Sequence, residues 1–333
     1  MVDSTRNSCN AVKLSRNNLK YFSVILIGVL IAYAVNRIEG AISPLFFAMV
    51  LGMIMGNSMS WGESGREASE FAAKKCLRFG VVLLGFQISI SKFLEVGPRG
   101  FLAVALIVTS VFVLLRYLSR KLGFSDSLAT LISGGFAICG ATAIAAISST
   151  RKSEERDVSY AVALVTLCGT LSVFAIPAIA ALIGLSDATA GAWIGAAVHD
   201  VGQVIATATL MGPEALESAV IVKLTRVVLL VPLIFFLARG NSTSNSIRKS
   251  IPTFVFAFIG CALLVNVLPL SDSVITLGKE SSKIALSIGL FGMGLSVRWS
   301  QIRTLGAKPL IFGLAAWVAC ATFALGVIRA AGL

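Results

Sequence analysis

Charged residues are scarce in this sequence. They make up 13% of its 333 residues, where soluble domains carry about 25%. Together with 56% hydrophobic residues and a mean hydropathy of +0.89, that deficit excludes an ordinary soluble domain. Histidine is nearly absent, at one residue. The six cysteines (Cys9, Cys76, Cys139, Cys168, Cys261, Cys320) contain no CxxC pair. They therefore match neither a zinc site nor a disulfide framework and read as small apolar packing residues. No HExxH, GxSxG or Walker sequence occurs, so an enzyme, a cofactor and a catalytic metal are not expected. Acidic residues are fewer than basic ones, giving a formal charge of +12. The excess is spread over short loops, as a topology signal is, and not gathered into a nucleic-acid footprint.

What is present is a series of apolar runs of bilayer-crossing length, which predicts an all-α polytopic membrane protein. The polar basic residues 1–20 read as a cytoplasmic tail and 21–333 as a single transmembrane domain. Ala32-Tyr-Ala34 resembles a signal-peptidase site, but an uncleaved first helix explains the same residues. We place about eleven transmembrane helices near 21–35, 43–57, 77–94, 100–117, 127–149, 157–183, 188–211, 218–238, 251–269, 282–298 and 308–328. With the N-terminus in the cytoplasm, Arg66/Lys74/Lys75, Arg116/Arg120/Lys121, Arg239/Arg248/Lys249 and Arg298/Arg303/Lys308 gather on the cytoplasmic side. On this count the charged loop Arg151–Asp157 is an exception.

The chain also echoes itself. Gly80, Gly85 and Gly97 keep the spacing of Gly289, Gly294 and Gly306, and Ser91 falls on Ser300. Pro44 with Gly52 echoes Pro252 with Gly260 after a shift of one residue. An odd number of spans separates the two copies, which predicts an inverted repeat of the kind secondary transporters use. A weaker echo links 134–183 with 195–239. The span count gives those two segments the same orientation, so either one of them is re-entrant or the echo is accidental.

Four features could carry chemistry. Gly195-Ala-Ala-Val-His-Asp-Val-Gly-Gln203 places His199, Asp200 and Gln203 inside an apolar segment, between glycines that suggest a discontinuous helix. The alternative is a histidine satisfied by a helix carbonyl beside a structural acid. Lys223 and Arg226 lie one turn apart in the next span, as a cationic wall for an anion, as a partner for Asp200 or as snorkelling side chains. Ser133-Gly134-Gly135-Phe-Ala-Ile-Cys139-Gly140-Ala-Thr142 is either a close-packing face or a second break, whose exposed amides would bind an anion. Gln87, Ser89, Ser91, Ser296 and Ser300 most simply mark helix exits.

The runs Gly85-Phe-Gln-Ile-Ser-Ile, Gly134-Gly-Phe-Ala-Ile-Cys-Gly-Ala-Thr-Ala-Ile-Ala-Ala and Gly195-Ala-Ala-Val-His-Asp-Val-Gly-Gln-Val-Ile-Ala-Thr-Ala resemble the YeiH-like family of bacterial inner-membrane proteins, described as sulfate exporters. The resemblance runs from about residue 20 to the C-terminus. It implies a multi-pass inner-membrane transporter fold more firmly than it implies sulfate. More distantly, the order of elements is similar to bile-acid-type sodium symporters. That implies two discontinuous helices crossing at the membrane centre, although no broken helix follows the Gly294 copy. The expected function is thus a secondary transporter exporting or exchanging a small anion such as sulfate or a sulfonate. Lys223, Arg226 and half-helix N-termini at Gly134, Gly135, Cys139, Gly140 and Thr142 would hold the anion. His199 with Asp200 would couple a proton, or Asp200 with Gln203 a sodium ion. An anion channel and a membrane-embedded sensor or accessory protein are the alternatives. Lipid bilayer and a small anion are the expected partners, with homo-oligomerisation open and nucleic acid excluded.

Overall fold

A computed structural model of the protein describes residues 16–38, 43–87, 90–150, 153–238, 253–297 and 306–333. The tail 1–15, Ser89, Ser300, most of the Gly289–Gly306 copy beyond Val297, and the side chains of Gln87 and Ser91 lie outside that description. Among the described residues every regular element is helical. Helices α1 (Arg16–Ile38) and α2 (Pro44–Ser58) are followed by α3 (Glu63–Phe71), which passes through a π-turn (Ala72–Cys76) into α4 (Leu77–Leu84). Next come α5 (Ile90–Lys121), α6 (Asp126–Ala137), α7 (Ala141–Thr150) and α8 (Glu155–Leu182). The chain continues with α9 (Asp187–Ala197), α10 (Val201–Ala208), α11 (Pro213–Val228), α12 (Leu230–Ala238), α13 (Thr253–Val267), α14 (Asp272–Ser296) and α15 (Ala307–Ala331). Among the described residues, five stretches are long and apolar enough to cross a membrane: Lys20–Ile38, Gly97–Lys121, Glu155–Leu182, Pro213–Leu237 and Ala307–Ala331.

Segments 127–149 and 188–211, each expected as one span, fold back on themselves instead. In the first, Gly134 packs against Ile147 and Gly135 against Ile144. In a helix running straight on, the thirteen steps from 134 to 147 would put about 20 Å between those residues. The Ser125 hydroxyl, at the start of α6, donates to Asp157 Oδ2, at the start of α8, at 2.8 Å. Both ends of the α6–α7 pair therefore lie on one face of the protein, and the pair is a re-entrant hairpin.

The second pair repeats the pattern. Gly191 and Gly195 of α9 pack on Ala215 and Ala219 of α11 in parallel register, and Asp187 at the start of α9 lies beside Gly212 at the start of α11. So α9 enters, α10 returns, and α11 enters again beside α9. The 28-residue α8 connects the two hairpins, which approach each other from its opposite ends. Each first leg, at 12 and 11 residues, rises about 16–18 Å, or roughly half a bilayer.

This corrects the loop assignment as well. The Ser125–Asp157 bond puts residues 153–157 on the same face as Arg116, Arg120 and Lys308, so the charged loop joins the basic face.

Local chemistry sets the hairpin ends. Ser125 caps α6 by accepting from Leu128 N at 3.0 Å, and Ser186 caps α9 by accepting from Thr189 N at 3.3 Å. Each cap is followed by an aspartate, favourable beside the positive end of a helix. Two indole bonds tie α15 to this core. Trp193 Nε1 donates to Ala321 O at 2.8 Å and Trp317 Nε1 to Ser172 Oγ at 2.7 Å.

Candidate functional site

The tips of the two hairpins meet. Helix α6 ends where Gly140 takes φ +64°, a conformation that only glycine adopts without cost. Its N–H reaches back to Gly135 O at 3.0 Å, and its carbonyl then accepts from Ile144 N to start α7. Helix α9 ends at extended Val198, and Asp200 opens α10 as its N-cap. Asp200 Oδ1 accepts from Gly202 N at 2.9 Å, while Gln203 Oε1 accepts from Asp200 N at 3.4 Å. A Cβ built on Gly140 would lie 3.6 Å from the His199 carbonyl oxygen, so the tips touch through backbone.

Two helix C-termini so close together present many unpaired carbonyls in a buried interior, where no water relieves them. Lys223 and Arg226 of α11, each 1% exposed, meet that need. Lys223 Nζ donates to Ile138 O at 2.7 Å, to Val198 O at 2.9 Å and to His199 O. Arg226 reaches five carbonyls, those of Phe136, Ala137, Gly195, Ala196 and Val198, at 2.7–3.2 Å. An ammonium has three donor protons and a guanidinium five N–H groups. Every donor of both residues is engaged, and both charges lie at the negative ends of two helix dipoles. The expected cationic wall is therefore a clamp across both tips, with no donor left for a ligand.

On the other side of the tips lies a cavity of about 420 Å³. It is lined by Ala141 and Thr142, in the first turn of α7, together with Asp200, Gln203 and Thr166. Arg78, Lys74 and Glu70 complete the lining, the last two paired at 2.8 Å, and both cations are exposed. Gln203 is fixed by its Nε2, which donates to Thr166 O at 3.2 Å and Thr170 Oγ1 at 3.3 Å. Of the residues expected from sequence, Asp200, Gln203 and Thr142 border this cavity. Lys223, Arg226, Gly134, Gly135, Cys139, Gly140 and His199 do not. Gly134 and Gly135 serve the contact between hairpin legs. Cys139 is buried at the tip beside Gly140.

Sequence reasoning missed Arg78, Thr166 and Thr170. A cation one residue inside a span and an i, i+4 pair of threonines on one helix face were the available signals. Among the described residues no group of three or more His, Cys, Asp or Glu side chains is placed to hold a metal.

His199 stands apart. It is fully buried, its ring is edge-on to Phe136 at 4.4 Å between centroids, and neither ring nitrogen has a partner among the described residues. Replacing a group with no hydrogen bonds by an apolar one of similar shape is neutral or stabilising. His199→Phe is expected to leave the melting temperature in detergent unchanged or higher. A drop equivalent to more than about 2 kcal/mol would mean that the ring is hydrogen-bonded in the membrane.

Comparison with known proteins gives a consistent picture. The family model described as conserved hypothetical protein 698 matches residues 20–313. A UPF0324 membrane protein of Corynebacterium glutamicum is 34% identical over 90% of this chain and 88% of its own. A UPF0324 membrane protein of Wolinella succinogenes is 33% identical over 91% and 94%. The UPF0324 inner membrane protein YeiH of Escherichia coli K12 is 34% identical over 89% of each chain. Among solved structures, the sodium proton antiporter MjNhaP1 of Methanocaldococcus jannaschii aligns over 94% of this chain and 99% of its own, with 14% identity and a TM-score of 0.29. That likeness is too low to carry an argument.

Proposed function

Because the chain belongs to the YeiH-like UPF0324 family of membrane proteins, we propose that the cavity beside the hairpin tips is the substrate site of a secondary transporter for a small anion. The single observation that carries this reading is the division of labour at the tips. Both helix C-termini are neutralised by Lys223 and Arg226, while the N-terminal turn of α7 opens into the cavity with Thr142. Amides at a helix N-terminus attract an anion, and Arg78 adds positive charge to the lining, where Lys74 is paired with Glu70 at 2.8 Å. Asp200 supplies the coupling. A carboxylate lining the same cavity repels an anion when ionised and not when protonated, so anion occupancy and protonation are linked. A sodium ion between Asp200 and Gln203 would act in the same sense. His199, away from the cavity, has no direct part.

Alternating access needs two related halves, and the packing supports an inverted repeat. Gly80 lies against Leu286, and its counterpart Gly289 against Leu77, the counterpart of Leu286. Gly85 packs on Phe258 O and Ala262 N, and its counterpart Gly294 on Met49 O and Met53 N. Each contact thus has an image with the same sequence offset, as a two-fold axis between the copies requires. Helix α5 packs on the first hairpin and α15 on the second. On this reading the second unit is circularly permuted, its hairpin preceding α13–α15 in the chain. That accounts for the missing broken helix after Gly294. The basic face is then cytoplasmic, as the positive-inside rule requires, with the N-terminus on that side of a single transmembrane domain.

The test is counterflow in liposomes. Purified protein, preloaded with sulfate, sulfite or methanesulfonate, should accumulate the labelled anion in a saturable, trans-stimulated manner. Thr142→Trp, which places a large ring in the cavity, should cut that flux by about tenfold or more, a 1.4 kcal/mol step, without lowering the melting temperature. Flux without trans-stimulation would point to a channel. Absence of flux for every anion would point to a sensor. Either result overturns the proposal.

A further inference from the structure

The structure carries a second, separate recess. A groove of about 840 Å³ runs between α5 and the α11–α12 joint, walled by Phe112, Leu229, Leu233 and Phe236. Its α5 wall extends from Val108 to Lys121, about 20 Å at 1.5 Å per residue. One leaflet of hydrocarbon is about 15 Å deep, half of roughly 30 Å. The groove is therefore the length of one leaflet plus a headgroup layer.

Its end on the basic face is lined by Arg116, Arg120 and Lys121. Asp126 is the acid paired with these cations, at 3.0 Å from Arg116 and 3.6 Å from Arg120. Lys121 stands over the Tyr117 ring at 4.7 Å. Arg116 Nε is buried with no partner among the described residues. Among the described residues, three cations stand against one carboxylate, which leaves a positive surplus, with an N–H of one guanidinium unanswered, at the mouth of an apolar slot.

We propose that this groove binds one anionic phospholipid. An acyl chain fills the apolar length. The phosphodiester takes the guanidinium donors in the bidentate manner that suits arginine, and the second negative charge or polar glycerol of the headgroup meets Arg120 and Lys121. A zwitterionic lipid would bring an ammonium group to a surface that is already positive. Basic pockets between transmembrane helices bind acidic headgroups in this way. The bound lipid would brace the joint at Leu229, between α5 and the helix that carries Lys223 and Arg226.

The full-length protein in detergent is titrated with dioleoyl phosphatidylglycerol, with dioleoyl phosphatidylcholine and with inorganic phosphate, and read by native mass spectrometry and thermal melting. Phosphatidylglycerol should be retained about tenfold more than phosphatidylcholine and should raise the melting temperature, because basic residues at a lipid surface attract an acidic headgroup. The R120Q/K121Q double variant should lose that preference while staying monodisperse, because both positions face outward. Thr109→Trp, at an exposed position lining the groove, should weaken phosphatidylglycerol binding with all charges intact. Equal retention of the two lipids, an undiminished preference in R120Q/K121Q, full binding in Thr109→Trp, or the same stabilisation from phosphate alone would each overturn the assignment.

Discussion

Lys223→Met and Arg226→Gln are expected to yield little or no folded protein. The reason is the number of acceptors that each cation serves. Removing Lys223 strands the Ile138 and His199 carbonyls, and removing Arg226 strands those of Phe136, Ala137, Gly195 and Ala196, while Val198 O, served by both, loses one of its two donors. A buried acceptor left without a donor costs about 1–3 kcal/mol. Even with partial relaxation the loss is about 2 kcal/mol or more for Lys223 and about 4 kcal/mol or more for Arg226, a large share of the roughly 5–15 kcal/mol stability of a typical domain. Arg226→Lys should fall between the parent and Arg226→Gln, since three protons cannot serve five carbonyls. The measurement is monodisperse yield and melting temperature in detergent. Variants that express and melt like the parent but bind anions more weakly would return Lys223 and Arg226 to the substrate site and remove the clamp.

Asp200→Asn should do the opposite, sparing the fold and changing the transport. Asparagine caps a helix about as well as aspartate, so the bond from Gly202 N survives and stability should move by less than about 1 kcal/mol. The side chain lines the cavity, and the substitution removes its ability to exchange a proton. Anion counterflow should lose its pH dependence over the range where the parent shows one. If the coupling ion is sodium instead, sodium stimulation should vanish and affinity should fall about tenfold, the effect of losing 1.4 kcal/mol of attraction. Comparing proteoliposome flux across pH at fixed sodium, and across sodium at fixed pH, separates the two. A variant with the parent's profile in both series would mean that Asp200 is a structural cap and that coupling lies elsewhere.

His199→Phe offers a useful contrast. Both residues belong to the same short motif, but Asp200 faces the cavity while the His199 ring is sealed against Phe136. Adjacent residues at a helix break diverge in this way because extended backbone at Val198 and Asp200 turns consecutive side chains in different directions.

Composition and pattern alone determined that this is an all-helical membrane protein, because backbone in hydrocarbon has few alternatives and long apolar runs state that constraint locally. The same local signals marked the two interruptions. Gly140 is the glycine that a left-handed turn requires, and the Asp200–Gly202 contact needs only neighbours in sequence. Glycine spacing also marked the Gly80 and Gly289 copies, since close helix contact selects small residues. Direction after a break was not legible. An apolar segment of some twenty residues has the same hydropathy whether it crosses or turns back, and only the contacts of Gly134 with Ile147 and of Ser125 with Asp157 decide it. The role of Lys223 and Arg226 was hidden for a related reason. A cation in a span signals a buried partner, but whether that partner is a substrate or the carbonyls of two helix ends depends on tips that lie 24 and more residues away in sequence. Tertiary structure alone brings them together.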